Sequence, residues 1–235
     1  MTGVLREFSD AREGLAFEAD LLTARQPVAG VWTSKANTLV CPFSYRRKPG
    51  FPAAAVASSG RGWPVMLRPT GGGAVPQGAG VLNLAVALTV PRGFAIADGY
   101  RLITGIVRRA LGDVGSVMTA GPTPGSFCDG DWNLSIVGQK VVGTAQRWRP
   151  VGAGCSRVLA HALILAGGGI EARADAVSAF NRAIGLGPVF AKAHTTLDRV
   201  QGRSRPELGT LARDLHTAAL ADLQALEMTR ACAVA

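Results

Sequence analysis

Arg68-Pro69-Thr70-Gly71-Gly72-Gly73-Ala74-Val75 joins two stretches that read as strands. Before it stand the apolar Val65 and Leu67; after it, Leu82, Leu84, Val86, Leu88 and Val90 alternate with Asn83, Ala85, Ala87 and Thr89. Period 2 sustained over nine residues predicts a strand with one face buried. Three consecutive glycines between strands leave the backbone bare, so amide N–H groups can approach a carboxylate, phosphate or acyl chain closely. Arg68, just before them, would add charge-assisted hydrogen bonds to the same ligand. A glycine-rich loop is as often a plain tight turn, so its meaning depends on what else the chain carries.

Upstream, residues 10–24 read as a helix. Asp10 with Glu13 fits a capping box, and Leu15, Ala19 and Leu22 recur at helical spacing with Phe17 and Leu21 beside them. Residues 28–33 and 38–41 read as two short strands joined by the polar turn Ser34-Lys35-Ala36-Asn37. Residues 42–61 read as loop, with Arg46-Arg47-Lys48-Pro49-Gly50 as a basic tip that is either a solvated surface or a patch for an acidic partner.

Downstream, Asp98 caps a helix to about Leu111 whose inner stripe is Tyr100, Ile103, Val107 and Ala110. Residues 121–131 form a turn-rich loop holding Cys128. Trp132, Leu134 and Ile136 share one face of a strand, and Gly138-Gln139 reads as a II′ hairpin turn. The return strand opens with Lys140. Residues 158–165 alternate again and put His161 on the face of Leu159 and Leu163, where a histidine is more often a satisfied core residue than a catalyst. Residues 171–184 predict a helix closed by Gly185. A last amphipathic helix, at about 204–229, has Ser204 and Glu207 as a capping box around Pro206 and a stripe through Leu208, Leu211, Leu215, Ala219 and Leu226. Strands and helices mix without a strict βαβ repeat. The expectation is an α+β fold, one domain over residues 1–235, with a mixed, largely antiparallel β-sheet flanked by helices.

Composition narrows the function classes. With 48% apolar and 17% charged residues the chain is an ordered globular one. No apolar run approaches the ~20 residues that span a bilayer. Glu13, Glu18 and Asp20 make the first twenty residues unlike a secretory signal, so a cytoplasmic protein without a membrane partner is expected. Cys41, Cys128, Cys155 and Cys232 form no CxxC pair, and the histidines are only His161, His194 and His216, so neither a disulfide framework nor a metal site is expected. The net charge of +9, from 21 arginines and 4 lysines, suggests an acidic partner. Coding bias accounts for most of the arginines equally well. No basic cluster is interleaved with aromatics, which argues against nucleic acid.

Three segments combine: the glycine loop at residues 68–75, the Cys128 loop, and Lys140-Val141-Val142-Gly143-Thr144-Ala145-Gln146-Arg147. Together they resemble the lipoate–protein ligase and octanoyl transferase family, which shares its fold with the biotin protein ligases. The resemblance runs from about residue 10 to 200, with weaker echoes at Glu18-Ala19-Asp20 and around His161. It implies a biotin/lipoate ligase-like catalytic domain. Lys140 would hold the acyl carbonyl, and Arg68, Thr70, Gly71, Gly72, Gly73, Ala74, Val75, Gln77, Gly143, Thr144, Ala145, Gln146 and His161 would line the acyl pocket.

One branch of the family uses a cysteine upstream of the lysine strand as a covalent acyl carrier, and Cys128 lies where that cysteine is expected. A thiolate there would attack a carrier-protein thioester in a nearly isoenergetic exchange. A cation such as Lys140 would favour the thiolate and steady the oxyanion. The partners implied are an acyl carrier protein and an acidic lipoyl-domain protein, of the glycine cleavage H protein or 2-oxoacid dehydrogenase E2 type, with no cofactor. Two alternatives stay open: an ATP- and Mg-dependent lipoate ligase lacking its accessory domain, and a non-catalytic binder of lipoyl domains or acyl ligands. The chain departs from the family after Val75, where Pro76, Gln77 and Gly78 replace the usual His-Asp pair. Gln77 can hydrogen-bond but cannot serve as a base near neutral pH.

Overall fold

The computed structural model of the chain describes residues 3–205 and 207–234. Its strands are β1 (Leu5–Phe8), β2 (Val28–Ser34), β3 (Thr38–Pro42), β4 (Val65–Arg68), β5 (Val75–Gln77), β6 (Val81–Val90), β7 (Thr119–Ala120), β8 (Leu134–Ile136), β9 (Gln139–Gly152) and β10 (Cys155–Leu165). The helices are α1 (Ala11–Thr23), α2 (Phe51–Gly60), α3 (Ile96–Ala110), α4 (Gly112–Ser116), α5 (Ile170–Ala183), α6 (Leu197–Val200) and α7 (Leu208–Val234). Seven strands make one sheet, ordered β1-β2-β6-β10-β9-β8-β7, and three make another, ordered β4-β3-β5. β1 pairs parallel with β2, and β3 with β4; the other pairings are antiparallel. The fold is therefore α+β with mixed, largely antiparallel sheets. Among the described residues no helix is long and apolar enough to cross a membrane.

β6 runs through the centre, and both of its faces are covered, which corrects the expectation of one buried face. Leu82, Leu84, Val86, Leu88 and Val90 belong to a large core with Ile103, Ile106 and Val107 of α3 and Leu215 and Leu223 of α7. Ala85 and Ala87 point the other way, against Leu21 and Leu22 of α1. Burying each of the larger side chains contributes about 1.5–3 kcal/mol, and the small alanines let α1 lie close to the strand.

Other expectations change in instructive ways. Residues 28–33 and 38–41 are strands, but of different sheets; the turn between them carries the chain across instead of closing a hairpin. Residues 42–61 are not loop. They hold a 3-10 turn at Phe43–Arg47 and then α2, with Pro52 in its first turn and Ala54 and Ser58 buried. The alanine-rich segment favours helix by propensity, but its small residues leave no amphipathic period to read. The tight turn after β8 is centred one residue earlier than expected: Val137 and Gly138 both have positive φ (48° and 73°) between the paired Ile136 and Gln139. That is the signature of a I′ turn, not II′.

α1 is capped as the sequence suggests, with Asp10 accepting from the amides of Arg12 and Glu13. Its buried side is Ala11, Gly14, Glu18, Leu21 and Leu22, so a carboxylate faces inward. α3 begins at Ile96, and Asp98 reaches back to accept from the amide of Ala95. Gly185 closes the helix before it with a φ of 72°. The last helix starts at Leu208; Pro206, the centre of the expected capping box, lies outside the described residues.

Candidate active site

A cavity of about 600 Å³, counting its open mouth, lies between the two sheets. α1 contributes Leu15 and Glu18. The large sheet contributes Trp32, Asn83, His161, Leu163 and Leu165; the small sheet, Val40, Arg68, Val75 and Gln77. Phe127, Cys128, Lys140, Gly143, Thr144 and Ala145 complete the wall. A second cavity, of about 430 Å³, shares Leu15, Glu18, Arg68 and His161 with the first and adds Thr70 and Arg147.

The glycine loop folds around Cys128. A Cβ on Gly72, whose φ is +96°, would lie 2.3 Å from Cys128 Sγ, and one on Gly73 would lie 3.2 Å from Cys128 Cα. No side chain fits at Gly72 without moving the thiol. Cys128 itself has a φ of 48°, a left-handed conformation that costs a non-glycine residue about 1–2 kcal/mol and is typical of strained functional positions. Arg68 is buried and shapes this loop: Nη1 donates to the carbonyl of Val40, and Nη2 to those of Gly71 and Gly73, each at 2.8 Å. Its N–H groups thus meet backbone carbonyls, where the sequence suggested a ligand. Desolvation lowers its pKa, with nearby Cys128 opposing that effect.

Two buried side chains hold the backbone beside the cysteine. Lys140 Nζ donates to the carbonyls of Phe127 and of Cys128, the latter at 2.9 Å. Burial drops its pKa to about 8. Gly143 leaves room for this folded-back lysine, since a Cβ there would lie 3.2 Å from its Cε and Nζ. His194 stacks on Phe127 with centroids 3.8 Å apart. Its Nε2 accepts from the Phe127 amide at 2.8 Å, while Nδ1 lies 3.0 Å from the Phe190 carbonyl and donates to it. Desolvation pushes the His194 pKa down to about 4, so the ring is neutral and the Nε2 acceptor persists.

Polar pairs line the rest of the wall. Gln77 and Asn83 exchange reciprocal amide hydrogen bonds of 2.8 and 3.0 Å. Glu18 accepts from Trp32 Nε1 at 3.0 Å, and His161 Nδ1 lies 3.2 and 3.1 Å from its two carboxylate oxygens. Of the residues singled out in the sequence, Arg68, Val75, Gln77, Cys128, Lys140, Gly143, Thr144, Ala145 and His161 line the first cavity. Thr70 lines the second, and Gly72 and Gly73 touch the cysteine. Three are not brought there. Nothing lies within 4 Å of a Cβ on Gly71, Ala74 is buried in the core around Phe127, and Gln146 bonds to the Ile96 carbonyl and to Trp148. Trp32, Asn83, Phe127 and His194 carry no local motif and emerge only from the fold. Of the other described cysteines, Cys41 is fully buried, with its thiol pushed up to about 11 by desolvation. Cys155 opens β10, outside both cavity linings.

A cysteine thus lies against a glycine loop, with its backbone held by a buried lysine, in a cleft between two sheets. Residues 46–181 match the lipoyl protein ligase A/B catalytic domain, and the chain belongs to that family. It is 37% identical over 176 residues to an uncharacterized protein of Cupriavidus necator, covering 68% of this chain and 69% of that one. It is 36% identical over 149 residues to the octanoyl-[GcvH]:protein N-octanoyltransferase of Kyrpidia tusciae, covering 60% of this chain and 51% of the relative. The match therefore spans about half the length of that transferase. A lipoate-protein ligase A bound with ATP superposes with a TM-score of 0.70 at 16% identity, over 93% of this chain and 84% of that one, a likeness of fold.

Proposed function

We propose that the protein is an acyltransferase of lipoate metabolism, which carries an octanoyl or lipoyl group as a thioester on Cys128 and passes it to a lysine of an acidic lipoyl-domain protein. The seating of Cys128 supports this most. Its sulfur rests against Gly72, its backbone is clamped by Lys140, and it lines a cavity whose walls include Leu15, Trp32, Val40, Leu163 and Leu165, suited to an alkyl chain. The thiolate adds to the donor's acyl carbon, a C–S bond forms, and the donor's group leaves. A lysine amine then attacks the same carbon, forming the amide and releasing the thiol. Two N–H groups of the Lys140 ammonium hold the loop, and the third is available to the acyl oxygen as negative charge develops there.

The donor is either an acyl-carrier thioester or an octanoyl-lysine protein such as the octanoyl-GcvH named for the Kyrpidia relative. With an acyl group delivered ready-made, no cofactor is needed. Gln77, which stands where the family usually carries a His-Asp pair, is closed into a reciprocal amide pair with Asn83. Incubation with octanoyl-carrier protein, and separately with octanoyl-GcvH, should add one octanoyl mass to the intact protein and none to Cys128→Ser. No adduct from either donor, with pyrophosphate released from ATP and lipoate, would overturn the reading in favour of a ligase.

A further inference from the structure

We propose that His161 is the proton acceptor of the amine half-reaction, oriented by Glu18; this rests on the reading of Cys128 as acyl carrier. Glu18 is 7% exposed, and it is the only carboxylate among the described residues lining either cavity. An isolated buried carboxylate is costly, but this one is held by Trp32 Nε1 and His161 Nδ1. The carboxylate fixes Nδ1 as the donor, which leaves Nε2 as the basic nitrogen. Nε2 has no hydrogen-bond partner among the described residues. His161 also lines both cavities, so it stands where the Cys128 chamber meets the one lined by Thr70 and Arg147. The Thr70 hydroxyl is buried without a partner on that side.

The chemistry needs such a group. A lysine side chain has a pKa of about 10.4, so the acceptor arrives as an ammonium and must lose a proton before it can attack. The other charges facing these cavities are cations: Arg68, whose guanidinium is engaged by three carbonyls; Lys140, which holds the cysteine loop; and Arg147. None is a base. In the proposed step an ammonium proton passes to His161 Nε2, and the neutral amine attacks the thioester carbon. The C–N bond forms and the C–S bond breaks. The departing sulfur takes the second amine proton, and the imidazolium releases its own to solvent. Acyl-enzyme and ammonium thus become amide, free thiol and one proton.

The test separates the two half-reactions. Single-turnover loading from octanoyl-carrier protein, followed by intact mass, provides the acyl-enzyme of both wild type and His161→Gln, and the discharge of that loaded protein is what is compared. Discharge to a lipoyl-domain lysine should slow about 10²-fold or more, the usual worth of a general base. Discharge to hydroxylamine, already neutral at neutral pH, should slow far less than discharge to lysine. Glu18→Gln should show the same selective loss to a smaller degree. Wild-type discharge to lysine in His161→Gln would overturn the proposal, as would equal loss with lysine and hydroxylamine, which marks a purely structural role. If wild-type protein takes no octanoyl group, the thioester reading falls and the proposal with it.

Discussion

Gly72 and Gly71 stand side by side in the same motif and do different work. A methyl group on Gly72 would overlap Cys128 Sγ and would be strained at its positive φ, whereas one on Gly71 meets open space. Gly72→Ala is expected to abolish octanoyl loading and to lower stability by about 1–3 kcal/mol, since alanine is incompatible with that backbone. Gly71→Ala should load like the wild type. Intact-mass and thermal-unfolding measurements on the pair check this, and equal behaviour would show that the loop does not seat the thiol. From sequence the two glycines are indistinguishable. Which one meets the cysteine depends on a loop more than fifty residues further along the chain.

At the scale of elements, the segment leading into Cys128 is held by His194, just after a 3-10 turn that the chain reaches only after completing β10 and α5. Its pKa falls from 6.5 in the unfolded chain to about 4 in the fold, so the unfolded state binds the extra proton first. The stability this histidine contributes is fully present above pH 6.5 and is lost progressively as pH falls toward 4. Denaturant midpoints of the wild type should drop across that window, and His194→Gln, which keeps an acceptor for the Phe127 amide but does not titrate, should drop less. Parallel pH profiles would show that His194 is not buried neutral. Element types were largely legible, because period-2 and period-3.6 patterns survive in β6, β10, α1 and α3. α2 was missed, as its small residues leave propensity without periodicity. Glu18 was visible as an acidic residue of α1, but the helix's rotation, with Gly14 against Trp32 and Leu21 and Leu22 against Ala85 and Ala87, turned it inward.

For the whole molecule, the charge of +9 matters for encounter more than for folding. An acidic lipoyl domain should be steered toward the protein at low ionic strength, where the Debye length is about 30 Å, and much less at 0.15 M, where it is about 8 Å. The KM for the acceptor should therefore rise several-fold over that range while discharge to hydroxylamine stays level; a flat KM would mean that the basic surface is not used.

The sequence by itself determined the α+β class and the strands flanking the glycine loop, since these are written in local periodicity, while the association of Cys128 with Lys140 was implied by the resemblance of its short motifs to one family. Only the tertiary structure decided that the sheet divides in two with a cavity between, that Arg68 grips its own loop, and that Glu18, Trp32 and His161 meet. Those contacts join residues up to 143 positions apart. Their geometry follows from how helices and sheets pack, and no window of sequence records it.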